Sequence, residues 1–138
     1  MRAGRFLIVI AVAALGVGLF SATALAGKKK KTAVVYFSNN PKFNSGGKVT
    51  AKGALNTVKA CRISRAVRLQ VLDSTATVIA TLSGSSTDSN GNFSLSGQLP
   101  NALPAGTNSV RVKALKDSAG KFVCKAGVST PVAIPATK

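Results

Sequence analysis

The sequence predicts an all-β domain: a seven- to eight-stranded Greek-key β-sandwich, Ig-like or prealbumin-like, behind an N-terminal signal helix. Three observations carry this. Apolar and polar residues alternate with period two in several short runs, the mark of half-buried strands. Turn residues separate these runs at short intervals. After the leader, no stretch holds an apolar 3.6-residue period over ten residues, so no long helix is expected. A small closed barrel is the second architecture compatible with this pattern.

Residues 1–26 read as a secretory signal. Arg2 and Arg5 form a positive start, residues 6–20 are apolar, and Ala24-Leu25-Ala26 fits a small-residue cleavage site before Gly27. The 21 residues 6–26 would also suffice to cross a bilayer as an uncleaved anchor. Lys28, Lys29, Lys30 and Lys31 follow directly and favour cytoplasmic retention. The cleavage site and the paired cysteines favour export to the extracellular space or cell envelope. Removing 26 residues from 138 leaves 112. With Arg2 and Arg5 gone, 17 basic residues face three acidic ones, and the formal charge falls from +16 to about +14.

The basic segment 27–46 contains the first strand, residues 33–37, whose continuous apolar run suits a strand covered on both faces. Asn40-Pro41 and Gly46-Gly47 break the chain. The sandwich core is assigned to 47–134. Val49 and Ala51 alternate with Thr50 and Lys52. Val67, Leu69 and Val71 alternate with Arg68 and Gln70, up to the turn at Asp73-Ser74. Residues 77–82 read as another strand covered on both faces. Residues 83–92 contain only Ser, Gly, Thr, Asp and Asn. Asn90-Gly91 makes this a strand end and a type I′ hairpin rather than a linker, because alternating Phe93 and Leu95 follow at once. Pro100, Pro104 and Gly106 fill the next connection. Val110, Val112 and Ala114 alternate with Arg111 and Lys113, residues 117–120 turn, and Pro131 and Pro135 place the last strand near an edge. The four lysines and residues 135–138 read as mobile tails.

Cys61 and Cys124 are the only cysteines, and an even count in an exported chain implies one disulfide. There is no Cys-x-x-Cys motif, so a redox role is not favoured.

The stretches 61–69, beginning Cys61-Arg62-Ile63-Ser64-Arg65, and 86–95, containing Thr87-Asp88-Ser89-Asn90-Gly91-Asn92-Phe93, resemble small secreted bacterial domains of the carboxypeptidase regulatory-like, or prealbumin-like (transthyretin-like), class. The resemblance covers about residues 47–134. It implies a Cys and an Arg before one strand, a Thr-Asp-x-x-Gly-x-aromatic hairpin, a Pro/Gly connection at Pro104-Ala105-Gly106, and a second Cys before the last strand. The aromatic often found after that connection is replaced by Thr107-Asn108-Ser109. The class implies an accessory or surface module and no activity.

Composition narrows the chemistry. The chain has no His and no Glu, and its acidic residues are Asp73, Asp88 and Asp117, all at turn signals. The usual general acids and bases are therefore nearly absent, a Ser-His-Asp triad cannot form, and a His-ligated zinc site is impossible. Residues 88–92 match a calcium loop only faintly, without the terminal Glu such loops need. A Lys–Asn crosslink lacks its usual acidic catalyst. Asn92-Phe93-Ser94 is a formal glycosylation sequon, read as chance. No cofactor and no metal are expected.

Positive charge is the one functional lead with a physical mechanism. The candidate anion-binding residues are Lys28, Lys29, Lys30, Lys31, Lys59, Arg62, Arg65, Arg68, Arg111 and Lys113, with Lys116 continuing the last group. The expected partners are anionic cell-wall polymers, polysaccharides or lipid headgroups. Specific nucleic-acid binding is not expected, because Tyr36, Phe37, Phe43, Phe93 and Phe122 read as core rather than stacking platforms. The expected function is therefore a secreted, non-enzymatic structural or binding module at the cell surface. The alternatives are a hydrolase built on a Ser/Lys pair and a cationic inhibitor or antimicrobial protein.

Overall fold

The computed structural model describes residues 29–136. The signal read over 1–26, Lys28 and the last two residues lie outside the described residues. In chain order the elements are β1 (Lys29–Thr32), β2 (Val34–Phe37), β3 (Lys42–Phe43), β4 (Lys48–Asn56), α1 (Lys59–Arg62), β5 (Ala66–Leu72), β6 (Val78–Ser86), β7 (Asn92–Gln98), β8 (Ser109–Ala114), β9 (Asp117–Ala119), β10 (Phe122–Lys125), β11 (Gly127–Val128) and β12 (Val132–Ala133). Among the described residues the fold is all-β with one helical turn.

Two sheets share the core. In the first, β4 lies between β7 and an edge occupied in succession by β3 and β2. In the second, the order is β11/β12, β8, β5, β6, with β11 and β12 sharing one edge of β8. The split edge has a local cause. The Ser129 hydroxyl accepts the Val112 N–H at 2.9 Å, and Pro131 follows, so the ladder is interrupted and then resumes. Counting each divided edge once, the two sheets hold seven strand positions.

The alternation read in the sequence becomes the core. Val49, Ala51 and Leu55 of β4, Val35 of β2 and Phe93 and Leu95 of β7 meet Val67, Leu69 and Val71 of β5 and Val110, Val112 and Ala114 of β8. Each fully buried Val or Leu contributes roughly 1.5–3 kcal/mol by removal from water. Ala33 and Val35 belong to this cluster, and Phe37 and Phe43 pack against it, so residues 33–43 contribute to the core.

Four strand and loop expectations are corrected. Lys29, Lys30 and Lys31 are not a tail: they form β1, parallel to β10, in a third sheet of order β1, β10, β9. Residues 117–120 form β9 and the turn at Gly120, not a turn alone. Residues 77–82 are not covered on both faces, because β6 is the edge strand of its sheet and mostly exposed. Residues 33–37 likewise alternate, with Val34 and Tyr36 facing out.

The connection at Asn90-Gly91 joins strands of different sheets, since β6 pairs with β5 and β7 with β4. Only Gly91 has positive φ there, so the turn is not type I′. The loop is one of three with the same wiring. Asp88 Oδ1 accepts the N–H of Asn90 and of Asn92, the Asp88 carbonyl accepts Gly91 N–H, and Asp88 N–H donates to Asn92 O. Asp73 makes the same four bonds with Thr75, Thr77 and Ala76. Asn44 makes them with Gly46, Lys48 and Gly47. The fourth residue of each loop, Gly47, Ala76 or Gly91, is left-handed.

Candidate functional site

The strand directions decide which loops share an end. Strand β4 runs toward α1 and β5 runs away from it. Strands β6 and β8 return, and β9 and β10 extend from the end of β8. One end of the molecule therefore gathers β1, α1, the Asp88 loop, β9 and β10. The opposite end gathers the Asn44 and Asp73 loops and the connection 99–108.

The first end is fastened by the Cys61–Cys124 disulfide, which joins α1 to β10 across a separation of 63. Both cysteines are buried. The helix is a single turn: Val58 offers no side-chain cap, and the backbone is already extended at Ile63 before Ser64 turns left-handed. Thr87 secures that turn: its hydroxyl accepts Arg65 N–H at 2.7 Å and donates to the Arg62 carbonyl.

Arg65 completes the fastening. It is 1% exposed. Its Nε donates to Leu115 O at 2.6 Å, Nη1 to Cys61 O at 2.8 Å, and Nη2 to Lys125 O at 2.6 Å and Cys124 O at 3.3 Å. Burial pulls its pKa below the ordinary arginine value, and Asp117 partly opposes that. The guanidinium is spent on the chain's own carbonyls, so Arg65 is removed from the anion-binding candidates.

The other candidates divide. Lys29 and Lys30 are exposed on β1, and Lys31 is half-buried beside them. Lys59 is exposed on α1. Arg62 lays its alkyl stem against Gly91, and its Nε is buried without a partner. Arg68 of β5 stands directly opposite Lys113 of β8, close to this end. Arg111 sits further along, opposite Gln70, and donates from Nε to Gln70 Oε1 at 3.1 Å. Lys28 lies outside the described residues. Four segments far apart in sequence thus bring Lys29–Lys31, Lys59, Arg62, Arg68 and Lys113 to one end, and Arg111 stands apart from it.

Two basic groups escaped sequence reading. Lys121, in the turn before β10, and Lys125, the last residue of β10, join the same end. Lys42, Lys48 and Lys52 form a separate strip on the outer face of the first sheet, with Thr50, Ser94 and Gln98 as register neighbours. The alternation of Lys48 and Lys52 with Val49 and Ala51 was the available signal. Tyr36, read as core, is 47% exposed on that same face. Among the described residues, no three His, Cys, Asp or Glu side chains come together, and no helix is long and apolar enough to cross a membrane.

No family model matches the chain, and no curated protein matches it.

Proposed function

We propose that this chain is an exported, non-enzymatic β-sandwich module whose cysteine-bridged end is a cationic pole for anionic polymers at the cell surface. The carrying observation is convergence: β1, α1, β5, β8 and β10, spread over residues 29–125, bring Lys29–Lys31, Lys59, Arg62, Arg68, Lys113 and Lys125 to one end. Arg68 facing Lys113 supports the same reading. Like charges directly opposite on a sheet are unfavourable for folding, and a bound polyanion relieves that repulsion. The disulfide accords with an oxidising compartment. The lack of His and Glu leaves little for acid–base catalysis.

The Ig-like Greek-key assignment belongs to this proposal. Its support is that the chain crosses between sheets from β4 to β5, β6 to β7 and β7 to β8, while β5 and β6 form a hairpin. The kinship with the carboxypeptidase regulatory-like, prealbumin-like class is likewise proposed. Thr87, Asp88, Gly91 and Phe93 hold structural positions of the kind that resemblance implies.

The partner class is an acidic cell-wall polymer, an acidic polysaccharide or an anionic headgroup surface. Titration with a sulfated polysaccharide tests the reading. Binding should weaken steeply and log-linearly with salt, as counterion release requires. Binding that is absent at low salt, or indifferent to salt, overturns it.

A further inference from the structure

We infer that the groove at the end opposite the disulfide is a binding site for an uncharged, aliphatic-rich peptide segment in extended form. The groove encloses about 660 Å³ between the Asn44 loop, the end of β7, the connection 99–108 and the segment after β12. That volume is within the range of ligand-binding clefts. Leu99, Leu103 and Ile134 form its aliphatic floor, half-buried and packed against the core.

Two features of the walls point to a peptide main chain. Asn108, which lines the groove, is only 7% exposed. Its Nδ2 donates to Pro104 O at 2.9 Å and to Gly106 O at 3.3 Å, which fixes the orientation of the amide. Its Oδ1 is left buried, with no donor among the described residues. A buried acceptor of this kind calls for a donor from outside the chain. The connection itself supplies the opposite groups. Among the described residues, no N–H of residues 100–107 donates to another backbone carbonyl. An extended peptide brings both an N–H and a C=O at each residue, which matches an orphan acceptor set beside unpaired donors.

The lining selects the class of peptide. None of the described residues that line the groove is charged or aromatic, in a chain of net charge +16. An anionic polymer therefore has no cation to pair with here, and a charged side chain would lose water without gaining a partner. A sugar ring finds no aromatic face to stack on. Leu or Val side chains find Leu99, Leu103 and Ile134, and gain by leaving water. Gln98 already spends its Nε2 on the Gly46 carbonyl, so it closes a wall rather than reaching for a ligand. The groove shares no residue with the cationic pole, and its ligand is independent of the polymer proposed there.

Amide NMR on isotope-labelled protein, purified from cells expressing the full chain, tests this by titration with the blocked peptide acetyl-Ala-Leu-Val-Leu-Ala-amide. The expected result is saturable shifts confined to 45–47, 98–108 and 134–136, with a dissociation constant below about 1 mM. The affinity should stay the same from about 0.05 to 0.5 M salt, because no charge takes part. Methylating the peptide nitrogens one at a time should reveal one position that costs about fivefold or more, the donor to Asn108 Oδ1. Leu103→Asn should weaken binding by about the same factor, and Lys30→Glu with Lys59→Glu at the pole should leave it unchanged. The acidic peptide acetyl-Ala-Glu-Val-Glu-Ala-amide and the neutral sugar chitotetraose should leave the groove amides in place. No saturable shift with the aliphatic peptide overturns the inference, as do shifts centred outside the groove. So does equal or tighter binding of the acidic peptide or the sugar, or indifference to methylation at every position. The methylation series uses the unaltered chain, so it decides even if a variant fails to fold.

Discussion

Arg65 Nε donates to the Leu115 carbonyl at 2.6 Å, joining residues fifty apart in the chain. The same guanidinium holds Cys61 O and Cys124 O, so it braces the backbone on both sides of the disulfide. Replacing it leaves buried carbonyls without donors. Arg65→Ala should cost about 3 kcal/mol or more, read as a lower urea midpoint. Arg65→Lys should recover little, because a single ammonium cannot reproduce the planar fork. A Lys variant as stable as the parent would refute the clamp.

Reduction of Cys61–Cys124 should lower stability by about 4 kcal/mol on the loop-entropy model for a separation of 63. The loss should begin at β10 and β1, which are held to the core end through that link. Hydrogen exchange after reduction should show faster exchange in 122–125 before 67–71. Uniform loss across both segments would contradict this order.

Asp73 and Asp88 should give the fold its acid limb. Hydrogen bonds from Thr75 and Thr77 hold the Asp73 carboxyl below its ordinary pKa, and those from Asn92 and Asn90 do the same for Asp88. A depressed folded pKa means stability that is full above the unfolded value, near 3.9, and is lost as pH falls through the folded value. With no His in the chain, the melting temperature should be flat from about pH 5 to 8 and fall below about pH 4. Asn44 makes the same loop without a titrating group. Asp73→Asn with Asp88→Asn should therefore keep the loops and flatten the acid limb. An unchanged acid limb would show that other groups control it.

Ala76 occupies the left-handed position that Gly47 and Gly91 fill in the sister loops, with φ of 63°. That conformation costs an L-residue roughly 1–2 kcal/mol, and glycine's extra unfolded-state freedom costs roughly 0.5–1 kcal/mol. Ala76→Gly should therefore raise the denaturant midpoint, by up to about 1 kcal/mol of stability. Gly91→Ala should lower it, because the new Cβ would also press on the Arg62 stem at 3.1–3.3 Å. Opposite signs at these two positions are the diagnostic outcome.

The inward rows of β4, β5, β7 and β8 were legible because alternation reports burial on one face directly. The disulfide followed from cysteine count. What lay outside sequence reach depended on backbone pairing between distant segments. Nothing in Lys29-Lys30-Lys31-Thr32 marks a strand, since its order comes from β10 and the bridge beneath it. Asp117-Ser118-Ala119-Gly120 has the same Asx-Ser-x-small pattern as the three wired loops. Yet Asp117 Oδ1 accepts only from Ser118 N–H, and the segment pairs with β10 instead. Residues 77–82 looked doubly covered because β-branched content signals a strand without telling centre from edge. The cationic end was half-visible: the clusters stood in the sequence, their convergence did not, and Arg65 looked free until its carbonyl partners were placed.

The central claim is that charge acts by position, at the bridged end, rather than as a general property of the chain. Affinity for a sulfated polysaccharide, measured across salt concentrations, decides between these. Lys30→Glu with Lys59→Glu alters exposed residues of the proposed pole, and Lys42→Glu with Lys48→Glu makes the same charge change on the separate strip. The pole variant should lose affinity about tenfold or more, with a salt slope shallower by about one unit per lysine lost. The strip variant should lose less than threefold. Equal losses from both pairs, or no loss from the pole pair, would contradict the assignment.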